Sequence, residues 1–546
     1  MSGQATDSQR QSVLGLTIGS VYSSLAIIDK DGHPNVIANE DGERLIPTCV
    51  AYRNGEVFAG SSAQNQAVRN PENTLYGFFE LLGQTADSEI VKHYISTSPF
   101  KLVEKDGQFA YEVQIDEKPV TVTAHEIAVR FLLMLKENAE AFTGNTVIGT
   151  VIGVPSHYTE VQRTKITAAA NEAGLKVEQI ANEPSLALLA YDYLDHDVTA
   201  DKTVVVVDFG GRSLDITLVS AKAGIYTIIA SENSREVSGL ALDDVLVQHF
   251  AKEFKTKNKV DITSNKRALS KLRVACELTK KTLSSTSTAP CSVESLAEGI
   301  DYHANVNRIR FEMLSSKIFN KVVAQIEKVM ESAGYHASDI NEVVLIGGGS
   351  RIPKIRSLLS YVFPESTQIR SEIETDEAVS RGCVMQSSLL QSLHETEDVS
   401  LEKLAAEENL SSANHTTAPI GLIDSNGAYV SLIHSDTPLP LRRVFRMSHP
   451  KGQVSAYVAL HQGEKETVVT QPEPLPKEEG DEEEPEVPEP ITTYRWKAAG
   501  LVAELALDSI NGASAQIELQ IQVDESGKLT AILRDIASGK TVKTDA

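Results

Sequence analysis

Three short glycine turns, each following an apolar run, carry the first chemistry in this 546-residue chain: Gly19-Ser20-Val21, Gly210-Gly211-Arg212-Ser213 and Gly347-Gly348-Gly349-Ser350. Glycine lacks a Cβ and reaches positive φ, so such turns let backbone N–H groups close on an anion. One turn alone is equally a hairpin. Two that match in context, with a third after a buried apolar strand, point to phosphate. Asp208 directly before the second turn and Asp215 after it are oxygen ligands suited to a hydrated Mg2+, held through its waters; Asp208 also reads as a strand-end cap. Further on, CELTKKTLS at Cys276–Ser284 places Glu277, Lys280, Lys281 and Ser284 at i, i+3, i+4 and i+7. That spacing is one helical face, which taken alone is a solvated face.

The elements that must hold these groups alternate between strand and helix across residues 13–391. Val13–Ile18, Ser23–Ile28 and Thr146–Val154 read as strands, and Ala124–Ala141 and Glu160–Ala173 as helices. One pattern occurs twice. The strand–glycine turn–strand unit LGLTIGSVYSSLA at Leu14–Ala26 recurs as VVVDFGGRSLDITL at Val205–Leu218, and VIGTVIGVP at Val147–Pro155 has a partner in VVLIGGGSRIP at Val343–Pro353. The two pairs have similar separations, so two related α/β lobes facing a cleft are expected, with a nucleotide between them.

Residues 392–417 are polar with scattered leucines and read as a linker or short helix. Strand patterns return over 418–546, at Ala428–His434, Val454–His461, Leu501–Leu507, Ser514–Val523 and Lys528–Asp535, which predicts a small β domain. It is interrupted by QPEPLPKEEGDEEEPEVPEP at 471–490, where nine carboxylates among prolines bury too little apolar surface to order the segment. Residues 1–12 are likewise expected to be disordered.

A net charge of −24 repels phosphate backbones, which argues against direct nucleic-acid binding and for protein partners. Cys49, Cys276, Cys291 and Cys383 are far apart with no CxxC pair, so neither a zinc framework nor a disulfide scaffold is expected. Met1–Gln11 is polar and no later run reaches the ~18 apolar residues of a bilayer span. The expectation is a soluble, unexported protein of the reducing cytosol, with no membrane partner.

In order along the chain stand the first glycine turn, Val154-Pro155, Asn182-Glu183-Pro184, the second turn, Arg273-Val274-Ala275-Cys276-Glu277, Leu345-Ile346-Gly347-Gly348 with Arg351-Ile352-Pro353-Lys354, and Asp376-Glu377-Ala378-Val379. In this order the chain resembles the seventy-kilodalton heat-shock (DnaK-type) chaperone family over nearly its whole length. The resemblance implies an α/β actin-like, two-lobed nucleotide-binding domain followed by a small β-sandwich, with ATP and Mg2+ as cofactors. It implies phosphate contacts from the three turns, Tyr22 and Glu183, an adenosine pocket from Glu277, Lys280, Lys281 and Ser284, and Arg351 near the base with Asp376 supporting it.

Several positions depart from the family. Where active members carry an aspartate and two threonines at the first turn, this chain has Thr17, Ser20 and Val21; where they carry a catalytic lysine, in the segment resembling Asn73–Gly83, it has Phe79, followed by Glu80. Phosphoryl transfer rests on positioning and on neutralising charge at the γ-phosphate, and losing one such group costs ~10²–10³ in rate. ATP binding with weak or no hydrolysis is therefore expected. Arg212 replaces a family glycine and either faces the phosphates or points to solvent. The linker lacks the family's leucine run and the chain stops at Ala546 after the β region, so a lidless β domain is expected. These departures resemble one branch, the heat-shock-type subunit of the eukaryotic ribosome-associated complex. The resemblance implies a stable pairing with the J-domain protein zuotin, contact with the ribosome and nascent polypeptides through that partner, and support of a separate active chaperone. The competing expectations are an active peptide-binding chaperone ATPase, an actin-fold kinase, and a nucleotide-free scaffold.

Overall fold

The computed structural model describes residues 11–39, 41–105, 107–115, 118–195, 201–222, 224–395, 415–424, 426–448, 452, 454–470, 491–508, 516–524 and 526–546. Among the described residues the chain divides into two compact units, one of residues 11–224 and 228–395, the other of residues 415–546 with 225–227.

The first unit is built twice on one plan. In its first lobe, Gln11–Thr17 pairs antiparallel with Tyr22–Ile28 on one side and parallel with Thr146–Val154 on the other, and Val177–Asn182 extends the parallel edge. In its second lobe, Lys202–Phe209 pairs antiparallel with Leu214–Lys222 and parallel with Glu342–Ile346, and Gln368–Arg370 extends that edge. The strand orders, Val177–Asn182 outward to Pro34–Val36 and Gln368–Arg370 outward to Ile225–Ser234, are equivalent. Both strand pairs recognised as repeats in the sequence occupy equivalent places. The central strands are apolar on both faces because helices cover both: Val204, Val205, Val206 and Val207 are all buried.

The helix Ala378–Glu395 lies across the first sheet and needs close backbone approach. A Cβ at Gly15 would sit 2.3 Å from the amide nitrogen of Val384, and one at Gly382 would sit 1.9 Å from the carbonyl oxygen of Leu186 on the neighbouring helix Glu183–Asp195. This helix runs to Glu395, into the segment expected as linker; 396–414 lie outside the described residues. At the other end the first strand begins at Gln11, within the segment expected to be disordered, while residues 1–10 are outside the described set.

The second unit consists of two four-stranded antiparallel sheets, Tyr429–Ile433, Ile420–Ile423, Ser455–Thr470, Ile491–Asp508 and Leu441–Ser448, Gln516–Val523, Leu529–Asp535, Thr541–Asp545. Their inner faces share one core. In Gln516–Val523 every second residue, Ile517, Leu519, Ile521 and Val523, is buried against Leu460, Leu505 and Leu533, the alternation of a half-buried strand. Leu441–Ser448, Ile420–Ile423 and Thr541–Asp545 were not anticipated from sequence. Arg443 on its inner face and Val444 on its outer face hide the first, although its even positions are exposed and its odd ones half-buried. The acidic run 471–490 is outside the described residues. Among the described residues no helix is long and apolar enough to cross a membrane.

Gly382→Ala separates local propensity from packing. Helix propensity alone favours alanine by about 1 kcal/mol, but a methyl group forced against the Leu186 carbonyl should destabilise the first unit by about 1–3 kcal/mol. Denaturant unfolding should show a lower midpoint for that unit; a raised midpoint would show that the helices yield without cost.

Candidate functional site

A cavity of about 480 Å³ lies between the two lobes of the first unit, within the size range of small-molecule sites. Its walls are the elements the repeats position. The register of the second hairpin places Asp208 directly opposite Asp215, so the turn Gly210–Ser213 closes with a carboxylate on each arm, and the Gly210 amide donates to the Ser213 carbonyl at 2.9 Å. The third turn begins at Gly347, whose φ of 76° is paired with a near approach: a Cβ there would sit 2.4 Å from Asp208 Oδ1. Glycine is required at that point.

The helix Lys266–Ser285, capped by the Asn265 side chain on the Ala268 amide, buries Ala268, Leu272, Cys276, Thr279 and Leu283. That stripe turns the adjacent face, Glu277, Lys280, Lys281 and Ser284, into the cavity wall. Tyr22 Oη donates to Glu277 Oε1 at 2.6 Å, and Lys281 Nζ donates to Tyr22 Oη at 2.9 Å while pairing with Glu277 at 2.8 Å. Burial would raise the Glu277 carboxyl, but Lys281 and the Tyr22 hydroxyl outweigh it and hold the group below its ordinary value. Lys280 Nζ is 2.8 Å from both the Gly239 carbonyl and Asp243 Oδ2. Burial pushes the Asp243 carboxyl up to about 6 despite that lysine. Arg351 Nε donates to Asp376 Oδ2 at 2.8 Å.

Glu183, Asp208 and Asp215 share the cavity floor. Asp215 is well supplied with partners: Ser213 Oγ at 2.8 Å, Asn233 Nδ2 at 2.9 Å and His157 Nδ1 at 2.9 Å. Burial, then the neighbouring Asp215 and Asp376, push Asp208 up to about 8; burial, then Asp208 and Asp215, push Glu183 well above its ordinary value. The cause is the same for both, like charges held together out of water. A divalent cation answers that repulsion. Asp208 and Asp215, facing each other across the second turn, are oxygen donors of the kind that suit a hydrated Mg2+ held through its waters.

The structure brings nearly all the sequence-predicted residues to this cavity: Thr17, Gly19, Ser20, Val21 and Tyr22; Glu183, Asp208, Gly210, Gly211, Arg212, Ser213 and Asp215; Glu277, Lys280, Lys281 and Ser284; Gly347, Gly348, Gly349, Arg351 and Asp376. Ser350 is a correction. It is buried, and its hydroxyl turns back to donate to the Ile346 carbonyl at 2.7 Å, because the third turn continues as a 3-10 turn. Phe79 also leaves the cavity; its ring is buried 4.8 Å from that of Phe78 and 6.0 Å from that of Phe131. Arg212 does not point to solvent: its guanidinium lies over the Tyr76 and Tyr94 rings, 4.7 and 5.1 Å from their centroids. Sequence reasoning missed Gly239, Leu240 and Asp243, which enter the wall at the start of the helix Gly239–Asn258. The Ser238 cap, with a carboxylate five residues later, was the available signal.

Residues 13–470 match the family described as Hsp70 protein. A heat shock protein 70 homolog of Schizosaccharomyces pombe is 36% identical, over 97% of this chain and 94% of its own length. The ribosome-associated complex subunit SSZ1 of Saccharomyces cerevisiae is 33% identical, over 97% of this chain and 99% of its own length. A heat shock 70 kDa protein 14-B of Xenopus laevis is 33% identical over 84% of this chain and 89% of its own.

The raised carboxyls fix the sign of a pH dependence. Asp208 is ordinarily ionised above about 4 when unfolded but holds its proton to about 8 in the cleft, so the folded state binds the extra proton between those limits. Without divalent cation, stability should fall as pH rises from about 4 to 8. Asp208→Asn should flatten the slope, and Mg2+ with nucleotide should offset it; melting temperatures across that window check this.

Proposed function

The chain belongs to the Hsp70 protein family, and from that premise we propose that it is an ATP-binding chaperone subunit that hydrolyses its nucleotide weakly or not at all. One contrast carries the reading. The groups suited to hold a nucleotide converge on the cleft, while Phe79, at the position of the family's catalytic lysine, is turned into the core of the first lobe.

In this reading Gly19–Tyr22, Gly210–Ser213 and Gly347–Gly349 surround the phosphates, Glu277, Lys280, Lys281 and Ser284 hold the adenosine, and Arg351 with Asp376 borders the base. Mg2+, held through water by Asp208 and Asp215, supplies charge neutralisation for the phosphates. Glu183 remains as a carboxylate able to orient a water. Thr17 offers a hydroxyl where the family has a carboxylate, and Val21 offers a side chain with no polar atom. A Cβ at Gly211 would sit 2.4 Å from Val21 Cγ2, so that side chain fills the space between the first two turns. Across the same cleft Arg235 pairs with Glu80 at 2.6 Å and Tyr22 with Glu277. These contacts support a lobe arrangement that a bound nucleotide braces rather than drives through a cycle.

The relative named as a ribosome-associated complex subunit, similar over nearly the full length of both chains, supports extending the proposal to partners. The chain would pair stably with a zuotin-like J-domain protein, reach the ribosome and nascent polypeptides through it, and assist a separate active chaperone in the cytoplasm. The two-sheet second unit suits recognition of an extended partner segment by strand addition.

Mg-ATP should raise the melting temperature by mass action, while turnover should lie about 100-fold or more below that of an active family member. A thermal shift paired with a turnover assay reads both; ordinary chaperone turnover would refute the catalytic part. Mixed with a zuotin-like J-domain protein, the full chain should elute as one stoichiometric complex on size exclusion, and separate elution would refute the partner assignment.

A further inference from the structure

We propose that Arg212 is the phosphate-binding cation of this cleft, delivered from the second lobe in place of the one missing at Phe79, and that it makes the site prefer ATP to ADP. The proposal rests on the reading of the cleft as an ATP site.

Arg212 stands on the second glycine turn, at a position where the family has glycine, and it borders the cavity. The guanidinium does not stay on its own lobe. It lies 4.7 Å from the ring centroid of Tyr76 and 5.1 Å from that of Tyr94. Tyr76 and Glu80 belong to the first-lobe segment 73–83, the one expected to bring a lysine. The aromatic box is built tightly: Gly77 adopts a φ of 76°, and a Cβ there would sit 2.2 Å from the Tyr94 ring.

The charges in the box do not balance. Glu80 is buried and already paired with Arg235 at 2.6 Å. Burial alone would raise the Glu80 carboxyl, but Arg235 and then Arg212 keep it ionised. Two guanidiniums thus face one carboxylate. No ion pair joins Arg212 to a carboxylate among the described residues, and its buried Nε has no hydrogen-bond partner. Arg212 as a whole is half-buried, but its Nε is shut away from water, and a desolvated N–H donor without a partner is costly until an acceptor completes it. Cation–π attraction to the two rings does not consume the guanidinium's N–H donors, and Nε is left without an acceptor. An edge donor beside glycine turns matches phosphate oxygens.

An excess cation discriminates by ligand charge, and ATP carries one phosphate more than ADP. Affinity for ATP should therefore depend on Arg212 more strongly than affinity for ADP.

Calorimetric titration of the full chain with Mg-ATP and Mg-ADP tests this with Arg212→Gly, which restores the family residue, and Arg212→Gln, which keeps a planar group without charge. Both variants should lose about 10- to 100-fold in ATP affinity and change by less than about 3-fold for ADP, with Arg212→Lys between them and the wild type. Unchanged ATP affinity in both variants overturns the proposal, and so does an equal loss for both nucleotides, which marks a structural role. Wild-type protein that binds neither nucleotide overturns the ATP reading itself, and this proposal with it. Melting curves without nucleotide confirm that each variant is folded; if Arg212→Gly is not, Arg212→Gln decides.

Discussion

Three carboxylates, Glu183, Asp208 and Asp215, meet at the floor of a cleft, where burial and mutual repulsion outweigh the pull of Arg163 on Glu183, and much of the first unit is arranged around that repulsion. The register that sets Asp208 opposite Asp215 is the register of the whole second-lobe hairpin. The Asp208 side chain in turn fills space that only a glycine at position 347 leaves open. Asp215 is tolerated because Ser213, Asn233 and His157 donate to it or lie against it, the last from the first lobe. The negative floor is thus one of the ties between the lobes, and its remaining charge calls for an ion from outside the chain.

The departures from the family pattern act in a common direction. Phe79 exchanges a cation for a ring in the core, Val21 exchanges a hydroxyl for methyl groups over Gly211, and Thr17 exchanges a carboxylate for a neutral hydroxyl. Two of the three remove groups that work on a terminal phosphate and replace them with packing. Apolar contact at these places favours one closed arrangement, whereas a cycling ATPase needs an opening and closing equilibrium between comparable states. Of these side chains Val21 is the one that packs across the lobes, against Gly211, while Phe79 packs within the first.

The duplication of the first unit was legible because its signal is local: strand, glycine turn and strand are contiguous, and the copies share that order. The face Glu277, Lys280, Lys281, Ser284 was legible for the same reason, since helical spacing fixes it. Ser350 was misplaced because a run of three glycines and a serine does not reveal that the backbone continues as a 3-10 turn, sending the hydroxyl to Ile346. The pairings of Arg235 and Asp243 were not legible, although the helix start that carries Asp243 was signalled by Ser238. Their partners, Glu80 and Lys280, are distant in sequence, and no periodicity links them. Leu441–Ser448 was missed because Arg443 on its inner face and Val444 on its outer face break the hydrophobic alternation, even though it pairs along its full length with Gln516–Val523.

The two missed charges and Arg212 together change how the cleft is understood. From sequence, the site is a set of glycine turns with carboxylates attached, and the loss of the lysine at position 79 leaves it short of positive charge. In the fold the shortage is local to Phe79. The second lobe contributes Arg212 and Arg235 to the same corner, where Glu80 neutralises one guanidinium. The cavity therefore has an acidic floor needing a cation and a basic corner needing an anion. A magnesium–nucleotide complex carries both signs in one ligand, and neither part alone would satisfy both walls. That complementarity concerns binding alone and does not depend on whether the bound nucleotide is hydrolysed.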